Sequence, residues 1–95
     1  RWEGFLLVPQ DTEYGFYLQS DDGSRLYIDG EKIIDRWEAH DWIPGSHGTK
    51  VLRAGKHSIR IEHYNERGGA AIRLRWCGGS IPGDTVLGVP YLTKE

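Results

Sequence analysis

The chain is 95 residues long, enough to bury one hydrophobic core and too short for a second. Its 12 Lys and Arg against 14 Asp and Glu leave a net charge of −2, without the positive excess that phosphate backbones or anionic lipids attract. Nucleic acid and membrane surfaces are therefore poor partners, and no apolar run approaches the roughly 20 residues that cross a bilayer.

The first residues, Arg1-Trp2-Glu3-Gly4, read as structure rather than as a signal peptide, as expected of a piece cut from a longer protein. Tyr14, Phe16 and Leu18 then alternate with Glu13, Tyr17 and Gln19, the period-2 pattern of a half-buried strand. Beyond the turn Gln19-Ser20-Asp21-Asp22-Gly23-Ser24, Leu26 and Ile28 oppose Arg25, Tyr27 and Asp29 in the same way. These two runs are expected to be neighbouring strands. Asp29-Gly30 separates Leu26–Ile28 from Ile33–Ile34 and predicts a tight hairpin, because both residues tolerate positive φ. A polar loop from Glu38 to Gly48 follows. Val51 and Leu52 then lead through Arg53-Ala54-Gly55-Lys56 to Ile59, Ile61 and His63, alternating with Ser58, Arg60 and Glu62, which predicts a second hairpin.

After the loop Asn65 to Gly69, Ala70, Ile72, Leu74 and Trp76 alternate with Ala71, Arg73 and Arg75, giving a last regular strand with long, solvated cations on its outer face. Cys77 alone can form no internal disulfide and no structural zinc site. The stretch from Gly78 to Glu95, with Pro82 and Pro90, reads as extended, either an edge strand or a linker. Helix-period segments are absent. The fold class is all-β, an antiparallel sandwich or barrel of residues 1–77 with an extended segment 78–95, and its function is expected in the loops at its ends.

Two readings stand for Asp21 and Asp22. They are turn formers, whose side chains bond nearby backbone N–H groups, or they are ligands of a calcium ion, which takes about 6 to 8 oxygens. Asn65 and Glu66 would supply further oxygens if their loop lay beside the first. The spacing excludes an EF-hand, so any ion joins loops distant in sequence. In the Glu38–Gly48 loop, Trp42 either stacks on a sugar ring or plugs the core. His40, Asp41 and His47 match no zinc-site spacing and read as solvated loop residues, while His57 and His63 are packed or partly exposed on a strand. No carboxylate pair sits in a catalytic motif and no G-x-S-x-G elbow is present, so independent catalysis is not expected.

Arg1-Trp2-Glu3-Gly4-Phe5, the run from Tyr14 through Ser20-Asp21-Asp22-Gly23-Ser24 to Asp29-Gly30, Leu52-Arg53-Ala54-Gly55-Lys56-His57 with Ile59-Arg60-Ile61-Glu62, and Leu74-Arg75-Trp76 together resemble the PA14 domain family. The likeness spans residues 1 to 76 in order. It implies a β-sandwich module of the kind found in toxins, adhesins, glycosidases and other secreted or cell-surface proteins. Members begin upstream of Arg1, which implies that one N-terminal edge strand is missing or replaced by the tail. In lectin members two consecutive aspartates joined by a cis peptide hold calcium, and calcium holds sugar hydroxyls. Those aspartates match Asp21 and Asp22, and the second calcium loop corresponds to Asn65, Glu66, Arg67, Gly68 and Gly69. The resemblance thus implies a non-catalytic, Ca2+-dependent carbohydrate-binding module within a larger multidomain protein. Asp21, Asp22, Asn65 and Glu66 would be its metal ligands, with Asp21, Asp22, Trp42 and Asn65 toward sugar. The alternative is a metal-free spacer or protein-interaction module.

Overall fold

The computed structural model describes residues 2–21, 23–37, 45–64, 71–88 and 91–94, with Asp21, Ala71 and Asp84 described by backbone alone. Within them the chain is all-β. The strands are β1 (Trp2–Val8), β2 (Thr12–Asp21), β3 (Ser24–Ile28), β4 (Glu31–Arg36), β5 (Ser46–Leu52), β6 (Gly55–His63), β7 (Ala71–Gly78), β8 (Ile81–Val86) and β9 (Leu92–Thr93). They form a five-stranded sheet in the order β4-β3-β6-β1-β9 and a four-stranded sheet in the order β5-β2-β7-β8, packed as a sandwich. The pairings are antiparallel throughout.

Alternation does the folding work. Tyr14, Phe16 and Leu18 of β2 enter the core with Leu74 and Trp76 of β7, against Leu6 and Val8, Leu26 and Ile28, Ile34 and Ile59 of the other sheet. Trp76 is the centre of this layer, stacked on Tyr14 at 5.2 Å and met edge-on by Tyr91 at 5.4 Å. The residues after Gly78 join the same core. Ile81 and Leu87 are buried, β8 edges one sheet, and β9 pairs with β1 at the edge of the other.

The Asp29-Gly30 hairpin forms as expected, with φ of 52° and 80° at the two turn residues. Both positive angles match the right-handed twist of the flanking strands. Two expected pairings are corrected. The runs around Phe16 and Leu26 are not neighbours, since β2 and β3 lie in different sheets. Likewise β5 and β6 make no hairpin: β5 pairs with β2, and β6 pairs with β1 and β3. Both turns carry the chain across the core, and alternation is the same for a strand beside its predecessor and one facing it.

The two ends of the sandwich differ. At one, short turns are locked by side chains: Asp11 accepts from Ala54 N at 2.8 Å, Gln10 from Ser80 N at 2.6 Å, and Asp29 from Ser58 N at 3.1 Å. At the other stand the stems of the longer connections.

Candidate functional site

Strand register determines which loops share that second end. β2 finishes with Asp21 opposite Ala71, the first residue of β7, and β3 starts with Ser24 opposite His63, the last residue of β6. Between these pairs, Tyr64 N donates to Gly23 O at 3.0 Å. The β2–β3 and β6–β7 connections, more than forty positions apart in the chain, therefore leave from paired stems at one corner.

The local sequence makes this corner tight. Ser20 and Ser24 are buried and their hydroxyls meet at 2.7 Å, joining the end of β2 to the start of β3 beneath the intervening turn. Such a bond in a dry site prevents either hydroxyl from being left unsatisfied. Gly23 is required by proximity: a methyl group there would overlap the ring of Tyr64.

Beside Tyr64 lies Trp37, the residue that follows β4. The rings meet edge-on at 4.7 Å, and Trp37 is 40% exposed. The Arg25 guanidinium sits 4.1 Å over the Trp37 ring while it reaches Asp35 at 3.2 Å and Glu62 at 3.5 Å. Lys32 adds a 2.9 Å contact to Asp35. Its hydrogen bond, opposed by partial desolvation and reinforced by Arg25, holds the Asp35 carboxyl below the usual carboxylate range. This charge network fixes Arg25, and Arg25 fixes the indole. On the neighbouring sheet, Gly45 N donates to the Tyr17 hydroxyl at 3.1 Å, and Gln19 is buried with no partner for its Oε1 among the described residues.

Of the residues singled out from sequence, Asp21 is placed at the end of β2 by its backbone. Asp22, Trp42, Asn65 and Glu66 lie outside the described residues, as do His40 and Asp41. His47 is on β5, with its ring 4.5 Å from that of Tyr17. His57 lies at the opposite end, between Asp29 and the Arg53 carbonyl. Among the described residues, no three His, Cys, Asp or Glu side chains gather as a metal site. What the described residues show at this corner is the pairing of the stems from which the two connections start. Sequence reading missed Trp37 and Tyr64. Their signal was position: each aromatic directly follows a strand that opens into a loop.

The family model of the PA14 domain matches residues 1–86. Anti-sigma-I factor RsgI3 of Acetivibrio thermocellus is 31% identical over 80 residues, covering 84% of this chain and 12% of that protein. An anti-sigma factor domain-containing protein from Clostridium clariflavum is similar in structure, with a TM-score of 0.74 and 30% identity, over 90% of this chain and 31% of that one. The GH31 α-xylosidase of Xanthomonas citri aligns with a TM-score of 0.60 and 28% identity, over 78% of this chain and 8% of that one. The chain thus spans a small part of each protein it resembles.

Proposed function

We propose, from the premise that this chain belongs to the PA14 domain family, that it is a non-catalytic carbohydrate-binding module of a larger protein, working outside the cell. Asp21 and Asp22, with Asn65 and Glu66 from the second loop, hold Ca2+ at the loop corner. The ion, when bound, supplies open coordination positions for sugar hydroxyls. The observation that supports this reading is the paired stems, Asp21 opposite Ala71 and Gly23 bonded to Tyr64, so that the two acid-bearing connections start from one corner.

The chain's own aromatic residues do the rest. The exposed part of Trp37, steadied by Tyr64 and Arg25, offers an apolar surface to one face of a pyranose beside the ion. Trp42 on the adjoining connection is a second sugar contact in this reading. The similarity to a segment of an α-xylosidase, an enzyme named for acting on a glycoside, supports carbohydrate as the ligand class.

The test is a glycan array probed in calcium and again in chelator, followed by calorimetry on the best ligand. Binding is expected only with calcium and is expected to be lost in Asp21→Ala and Asp22→Ala. Trp37→Ala should weaken it about tenfold, equivalent to about 1.4 kcal/mol. Glycan affinity unchanged by chelation would reject the calcium mechanism. No glycan binding at all would leave the spacer role.

A further inference from the structure

A separate site is built into the outer face of the four-stranded sheet. Outward positions on β2 are Glu13, Gly15, Tyr17 and Gln19. Register places Thr49 and Cys77 on either side of Gly15, and His47 and Arg75 on either side of Tyr17. Gly15 has no side chain to fill the space between its neighbours. The result is a trough of about 500 Å³ lined by Tyr17, His47, Thr49, Arg75 and Cys77. One wall is aromatic, with the Tyr17 and His47 rings 4.5 Å apart, and the Tyr17 hydroxyl is anchored by Gly45 N.

Arg75 makes this trough chemically specific. On the other sheet, Arg25, Lys32 and Arg60 each reach a carboxylate. Arg75 is half-buried and makes no ion pair among the described residues, which sets it apart; its Nε, like that of Arg60, is shielded from water without a hydrogen-bond partner there. Leaving a guanidinium donor dry and unsatisfied is costly, and a planar carboxylate is the group its fork fits best. Glu13, the acid of this face whose side chain is described, stands one outward position beyond Gly15, opposite Val51 rather than Arg75.

We propose that the trough binds a uronic acid unit of an acidic polysaccharide. The sugar carboxylate pairs with Arg75, an apolar ring face lies against the Tyr17–His47 wall, and Thr49 bonds a hydroxyl. One cation without an ion pair among the described residues suits one carboxylate per unit rather than a dianionic phosphate. This site is distinct from the loop corner, needs no metal, and rests on the carbohydrate-binding reading only for its ligand class.

Calorimetry with a uronate tetrasaccharide, and with the same tetrasaccharide after carboxyl reduction, tests it. Wild-type protein should bind the uronate at least tenfold more tightly than the reduced sugar, in calcium and in chelator alike. Arg75→Gln should abolish that preference, and so should Gly15→Val, whose Cβ falls at an ordinary 3.5 Å from Cys77 Sγ. Melting curves establish that both variants fold. Asp21→Ala should leave the preference intact. A preference absent from wild type, retained in Arg75→Gln, or abolished by chelator overturns the proposal. A preference that depends on Arg75 while no glycan responds to calcium would sustain the trough and reject the loop-corner mechanism.

Discussion

His57 illustrates how one residue can make an end of the sandwich sensitive to pH. Its Nδ1 lies 2.6 Å from Asp29 Oδ2 and its Nε2 lies 2.7 Å from the Arg53 carbonyl. Both partners are acceptors, and only the imidazolium can donate to both. Partial burial opposes charging, but the Arg53 carbonyl and Asp29 carboxylate outweigh it and hold the pKa above the ordinary histidine value. The stabilisation is therefore fully present below the unfolded-state pKa of about 6.5 and is lost as pH rises through the higher folded value. His57→Gln should cost about 1 kcal/mol in acid, modest because Asp29 is partly exposed. Melting temperatures of both proteins from pH 5 to pH 9 should converge as pH rises; a constant gap would contradict the assignment. Gly23→Ala is expected to cost about 1–3 kcal/mol in urea denaturation, since its methyl group must displace the Tyr64 ring.

Between neighbouring elements, what the sequence makes legible depends on whether a contact is local. Asp29-Gly30 encodes its own turn, so β3 and β4 could be paired on sight. By contrast, the Ser20–Ser24 bond that folds β2 back over the core joins two residues common in any polar turn. Neither it nor the Arg53-Ala54 crossing announces a change of sheet. The loop corner was partly legible: the adjacent aspartates identify a candidate loop, but the stem pairing that sets its base beside the end of β6 and the start of β7 depends on register. The trough was not legible, because a missing side chain at Gly15 matters only once Thr49 and Cys77 are known to flank it. At this scale the closing strands are also testable. Shortening the chain to residues 1–78 removes Ile81, Leu87 and the Tyr91 ring on Trp76, and bares the edges of β1 and β7. Each such side chain is worth about 1.5–3 kcal/mol, and three together rival the total of about 5–15 kcal/mol typical of a domain. The shortened chain should show no cooperative thermal transition, whereas a sharp melt near that of the full chain would show β8 and β9 to be dispensable.

For the molecule as a whole, the contrast between its ends connects stability to binding. One end is closed by side chain–backbone bonds, including those of Asp11, Gln10 and Asp29, and needs no ligand to hold its turns. The other joins its connections through paired stems and leaves adjacent aspartates to be accommodated. In the proposed site the ion draws the two carboxylates together, and without it they repel one another. An ion that binds only the folded chain removes that conflict and stabilises by mass action. With a dissociation constant of about 1 mM, typical of extracellular modules, 10 mM calcium should add about 1.4 kcal/mol. For a domain of this size that corresponds to a rise of about 6–10 °C in melting temperature. Magnesium, which gives up its water reluctantly, should produce a smaller rise, and Asp21→Asn should remove most of the calcium effect. Scanning calorimetry with each ion separates these cases. A melting temperature indifferent to 10 mM calcium means that the corner holds no such ion, and the two aspartates then serve the turn alone.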